Sequence, residues 1–117
     1  MRVHSIIADL PVADIAAARD FYTSYLGLAT EEFNLGWVAR FTSPETGAHL
    51  QVVTADATAP VDAAASIKVD DVDAAYAEAV ERGFEIIHPL TDEEWGVRRF
   101  FVRAPDGNVF NIVAHRE

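Results

Sequence analysis

One pattern occurs twice in this chain, and that repetition limits what the chain can fold into. Leu10-Pro11-Val12-Ala13-Asp14-Ile15-Ala16-Ala17-Ala18, followed by Phe21-Tyr22 and Leu26-Gly27, is echoed by Ile67-Lys68-Val69-Asp70-Asp71-Val72-Asp73-Ala74-Ala75, followed by Ala79-Val80 and Arg82-Gly83. Each copy continues through a Trp and a β-rich stretch into a Pro-acid-Gly turn and a closing strand. The first closes as Pro44-Glu45-Thr46-Gly47 with His49-Leu50-Gln51-Val52-Val53, the second as Pro105-Asp106-Gly107 with Val109-Phe110-Asn111-Ile112-Val113. Two such halves are expected to pack with approximate two-fold symmetry, and the seam between them is a natural place for a cleft.

The 117 residues make one domain by length, and half of them are hydrophobic, which argues for a packed core rather than disorder. With no cysteine, disulfides, thiolate zinc sites and thiol catalysis are excluded. A formal charge of −10 argues against nucleic acid and against an anionic membrane surface. It suits a neutral or cationic small ligand, or simple solubility. No segment reads as a signal peptide and no apolar run is long enough to span a bilayer, so a cytoplasmic location is the expectation.

The elements follow from periodicity. A strand is expected over 3–10. Asp14 then caps a helix carrying Ile15, Ala18, Tyr22 and Tyr25 or Leu26 on one face, which Gly27 stops. Strands are expected over 29–33, 37–42 and 48–54, and a linker over 55–64 separates modules spanning about 1–54 and 65–117. The second module should run strand 65–69, a helix capped by Asp71 with Val72, Ala75, Tyr76 and Ala79 buried, strand 84–88, loop 89–96, then strands 97–103 and 108–114. The fold class is α+β: two tandem β-α-β-β-β modules forming a curved sheet around a cleft.

Alternation assigns the faces of the closing strands. Leu50 and Val52, like Phe110 and Ile112, belong against the helices, which turns His49, Gln51 and Asn111 to the other face. Gln51 and Asn111 each lie four residues beyond a turn glycine and are symmetry mates.

On these residues the chain resembles the vicinal oxygen chelate superfamily, which includes glyoxalase I, bleomycin-resistance proteins and extradiol dioxygenases. The motifs are Leu10 to Asp14 with Phe21-Tyr22 and Leu26-Gly27-Leu28, and Arg103-Ala104-Pro105-Asp106-Gly107-Asn108. The stretch Trp95-Gly96-Val97-Arg98-Arg99-Phe100 is most similar to the bleomycin-resistance branch. The resemblance implies four metal-ligand positions, which fall here on Ile7, Gln51, Ala64 and Asn111. Two cannot coordinate a cation, and two are carboxamides, weak ligands beside carboxylate or imidazole. No metal, no cofactor and no catalytic residue are therefore expected. A His49-Gln51-Asp9 cluster is the alternative metal site weighed, whereas His4, His88 and His115 are not expected to be ligands. No serine lies in a nucleophile-elbow context.

The aromatic residues carry a binding argument. Trp37, Trp95 and Phe101 can offer flat faces to a planar ligand, with Arg40 and Arg98 as guanidinium donors. Glu93-Glu94 reads either as a solvated loop pair or as carboxylates attracting a cationic ligand. The expected function is metal-independent binding of a small aromatic or amphipathic molecule, cationic or planar, as in antibiotic sequestration. The expected site comprises Trp37, Arg40, His49, Gln51, Trp95, Arg98, Phe101 and Asn111, in a homodimer. The alternatives are an enzyme of the same superfamily with a degenerate or unrecognised metal site, and a binder of an ordinary metabolite.

Overall fold

A computed structural model describes residues 1–115. The elements run β1 (Val3–Pro11), α1 (Ile15–Asp20), a π-helical turn (Phe21–Tyr25), β2 (Thr30–Asn34), β3 (Val38–Thr42), β4 (His49–Val53), β5 (Ala65–Val69), α2 (Val72–Glu81), β6 (Glu85–Asp92), β7 (Val97–Arg103) and β8 (Val109–His115). This is β-α-β-β-β twice, an α+β chain. It divides into two units, Ile7–Asp62 and a second made of Met1–Ile6 with Ala63 onward. The first six residues join the second unit because Asp70 N–H donates to the Arg2 carbonyl at 3.3 Å and the Asp70 carboxylate pairs with His4 and Arg2. Among the described residues, no helix is long and apolar enough to cross a membrane.

In the first unit the strand order is β2-β3-β4-β1. Strands β2, β3 and β4 pair antiparallel, and β4 lies parallel to β1. The Asp14 carboxylate accepts from Ala16 and Ala17 N–H and so occupies donors that the start of α1 would leave open. Ile15, Leu28, Ala39, Phe41 and Val52 form the core, with Val12, Tyr22 and Leu50 packed against it. Fully buried Phe41 lies nearly parallel to the Tyr22 ring, with centroids 6.0 Å apart.

The expected continuous helical face fails at its end. Leu26 N–H bonds back to the Phe21 carbonyl, five residues earlier. This wider turn rotates the later side chains off the face that α1 buries. Tyr25 and Leu26 are exposed as a result, and so is Phe21. Gly27 then reverses the chain at φ 73°, a conformation that side-chain-bearing residues avoid.

In the second unit the strand order is β5-β8-β7-β6. Asp71 caps α2 by accepting from Ala74 N–H at 3.0 Å. Val72, Ala75 and Ala79 present an apolar stripe to Val69, Phe100 and Ile112, with Tyr76, Val102 and Phe110 around them. Tyr76 meets Phe100 edge-on at 5.1 Å.

The expected loop over 89–96 is largely strand, because β6 continues through Pro89 to Asp92. Proline survives there because β6 is the last strand in the order and its register slips between His88 and Thr91. At such a bulge on an edge the ladder does not need the missing N–H.

Candidate functional sites on the helix-free face of each module

Alternation places the polar residues. In β4, Leu50 and Val52 join the α1-side core, so His49, Gln51 and Val53 face the other way. In β8, Phe110 and Ile112 join the α2-side core, which turns Asn111 to the opposite face. In β7, Phe100 packs under α2 and Phe101 therefore faces away with Asn111, its register partner.

The registers show that each module carries one cross-strand row of four residues on that face. In the first module the row is Phe33 on β2, Arg40 on β3, Gln51 on β4 and Asp9 on β1. In the second it is His88 on β6, Phe101 on β7, Asn111 on β8 and Ser66 on β5. The duplication therefore matches Phe33 with His88, Arg40 with Phe101, Gln51 with Asn111, and Asp9 with Ser66.

The first row is tied together by charge and hydrogen bonds. Arg40 Nε and Nη2 both donate to Gln51 Oε1, at 3.1 and 2.8 Å. Gln51 Nε2 donates to Asp9 Oδ1 at 2.6 Å. The Arg40 guanidinium lies 5.0 Å from the centre of the Phe33 ring, and its Nη1 is 3.5 Å from Glu32 Oε2. Gln51 is thus a buried bridge between a cation and an anion.

The second row is less fully paired. Asn111 Nδ2 donates to Ser66 Oγ at 3.0 Å, while Asn111 Oδ1 and His88 Nε2 are buried and make no hydrogen bond among the described residues. The His88 ring meets Phe101 edge-on at 5.6 Å. Beside this row, Arg99 Nε donates to Glu93 Oε2 at 2.6 Å. The guanidinium lies over Trp95 and Phe101 together, 5.1 and 4.9 Å from their ring centres. His88 Nε2 is 3.5 Å from the same Glu93 oxygen.

The structure brings Arg40 to Gln51 and Trp95 to Phe101, and sets Asn111 beside Phe101. Trp37 is half-buried just ahead of β3, and its carbonyl accepts from Thr54 N–H at 2.9 Å. His49 Nδ1 donates to the Gly47 carbonyl at 2.9 Å, a turn contact. Arg98 lies apart from the row. It has the parity of Phe100, on the α2 side, and its guanidinium pairs with Asp73 at 2.8 Å and Asp92 at 3.1 Å. Those two carboxylates raise the Arg98 pKa further above its already high ordinary value, and Arg98 in turn holds Asp73 below its ordinary value.

Two expectations about neighbouring residues are corrected. Glu93 is not a solvated loop charge, nor a carboxylate left open to a cationic ligand, because it is 5% exposed and paired with equally buried Arg99. Glu94 alone stays exposed. His88 is not at a loop entrance but inside β6, buried between Phe101 and Glu93. The missed residues are thus His88, Glu93 and Arg99. For Arg99 the signal was present: once Phe100 is assigned to the helix side, its neighbour must face away.

The residues at the four metal positions do not fit a metal. Ile7 is apolar and buried, and Ala64 has no donor side chain. Gln51 Oε1 already receives a guanidinium, so a cation placed there would meet a positive charge. Among the described residues, no group of three or more His, Asp or Glu gathers as a metal cage, and Asp9 and His49 are each held by other partners.

Solved structures share the fold. A Legionella pneumophila protein described as an NAD-dependent benzaldehyde dehydrogenase matches with TM-score 0.76 at 20% identity, over 96% of this chain and 100% of that one. Methylmalonyl-CoA epimerase from Mycobacterium tuberculosis matches with TM-score 0.72 at 21% identity, over 98% and 90%. A glyoxalase/bleomycin resistance protein/dioxygenase superfamily member from Vibrio splendidus matches with TM-score 0.65 at 18% identity, over 96% and 98%. At these identities the likeness is one of fold. No curated protein matches the chain. The family model covers residues 2–112, and the chain therefore belongs to the Glyoxalase/Bleomycin resistance protein/Dioxygenase superfamily.

Proposed function

We propose that this chain binds a small planar or amphipathic molecule without a metal, in the manner of a sequestering protein rather than a metal-dependent enzyme. One observation carries the reading. The flat Arg99 guanidinium already lies over both Trp95 and Phe101, so this face is built to hold a flat group against aromatic rings. The four metal positions support it from the other side, since none offers an uncommitted carboxylate or imidazole. Glu93 is neutralised by Arg99, which favours a neutral planar ligand over a strongly cationic one. A homodimer belongs to this reading, with both copies of the 117-residue chain contributing walls around the ligand.

Tryptophan emission tests it. A planar antibiotic held against Trp95 should quench emission saturably, and Trp95→Ala should weaken binding by about 1–3 kcal/mol. The absence of quenching by every compound in a panel of planar antibiotics would refute the reading. The rival is an enzyme whose metal site lies outside the family positions. It predicts stoichiometric, tight uptake of nickel, zinc or manganese.

A further inference from the structure

We infer that the second module recognises its ligand through two hydrogen-bonding atoms left over on either side of Phe101, Asn111 Oδ1 and His88 Nε2. The inference rests on the binding reading above and names the chemistry of the ligand.

His88, Phe101 and Asn111 are successive register partners on β6, β7 and β8. Both polar residues are more than nine-tenths buried, at 8% and 9% exposure. Burying a polar atom without a partner costs about 1–3 kcal/mol, so most buried polar atoms in folded proteins are paired. Two such atoms in one row, with an aromatic ring between them, make a recognition edge that lacks its complement.

The neighbours do not supply that complement. The other end of the Asn111 carboxamide is engaged by Ser66. The Glu93 oxygen 3.5 Å from His88 is already held by Arg99 at 2.6 Å. A ligand reaching both atoms must cross Phe101, whose ring the Arg99 guanidinium covers at 4.9 Å, so binding there requires the ligand to displace that guanidinium from the ring.

This defines a class: a flat fused-ring heteroaromatic compound carrying N–H or O–H donors toward Asn111 and a polar group toward His88. The strands that bear them are two spacings apart, about 10 Å between backbones, which suits a bicyclic or tricyclic system. A purely hydrocarbon ring leaves both atoms unpaired and is discriminated against.

The experiment compares lumichrome, a tricyclic with N–H donors, with acridine, a tricyclic without them, by fluorescence titration at pH 7.5. The wild-type protein should prefer lumichrome by about tenfold. Asn111→Leu and His88→Phe should each erase most of that preference while acridine binding stays as it was. His88→Phe should melt at or above the wild-type temperature, because it replaces an unpaired buried nitrogen with an apolar group of similar shape, whereas Asn111→Leu also gives up the hydrogen bond to Ser66 and should melt somewhat lower. Equal binding of the two compounds by wild type, with no effect of either substitution, overturns the inference and leaves the binding reading standing. Binding of neither compound, together with silence across the antibiotic panel, overturns both. A clear drop in melting temperature for His88→Phe also overturns it, since that nitrogen would then be satisfied within the folded protein.

Discussion

Arg99 donates its Nε–H to Glu93 at 2.6 Å, with both side chains 5% exposed or less. A carboxylate that looks like a loop charge thus forms a buried ion pair with a strand arginine whose guanidinium lies over two aromatic rings. The pair fixes where Trp95 and Phe101 meet a flat cation and removes the charge that would otherwise attract one from solution.

Such a pair is costly to break and cheap to replace. Glu93→Ala takes from the buried Arg99 cation the carboxylate that its Nε–H binds at 2.6 Å, and should destabilise the protein by about 3 kcal/mol. Replacing both at once, as Glu93→Leu with Arg99→Met, should cost far less, about 1 kcal/mol or under. Urea denaturation of the single and double variants measures the difference.

Gln51 bridges Arg40 and Asp9, so its two ends are not interchangeable. Gln51→Leu should cost about 1–3 kcal/mol by leaving polar partners behind. Gln51→Glu keeps an acceptor for Arg40 but sets a second carboxylate against Asp9. It should therefore be less stable at pH 8 than at pH 5, the reverse of a variant that simply gains an ion pair. Thermal melts at the two pH values decide it.

The Asp73 carboxylate is held below its ordinary value of 3.8, chiefly by its hydrogen bond from Arg98. Asp70 is lowered likewise, chiefly by His4. A carboxylate whose folded-state pKa is depressed favours folding when ionised. The contribution is fully present above pH 3.8 and is lost as the pH falls through the lower folded-state value. Arg98→Ala should return the Asp73 titration toward 3.8, followed by carboxyl carbon NMR, without changing ligand binding. A loss of binding in that variant would place Arg98 in the site after all.

The repeat and its parity were legible before any coordinates, for physical reasons. A period-2 strand must choose a face, and large apolar residues choose the helix. Gln51 and Asn111 followed directly from that. The strand through Pro89 was not legible, because proline reads as a breaker unless the strand is known to lie at an edge with a bulge. Glu93 and His88 were missed for the same reason: once 89–96 is taken for loop, Glu93 falls in solvent and His88 becomes the last residue of a strand that in fact runs on to Asp92. The π-helical turn was hidden too, since Tyr25 and Leu26 keep ordinary helical spacing in the sequence and leave the buried face only when the turn widens. Asp9 was already grouped with Gln51 by parity, but Ser66 beside Asn111 needed the pairing of strands distant in sequence, which a single chain read in order does not supply.

Binding of a planar molecule without a metal can be read from a titration of tryptophan emission with a panel of planar antibiotics and lumichrome, on protein dialysed against EDTA and again after adding nickel, zinc or manganese. Saturable quenching by at least one compound is expected, with the same affinity in both preparations. Quenching that appears only with metal, or none in either preparation, would contradict it.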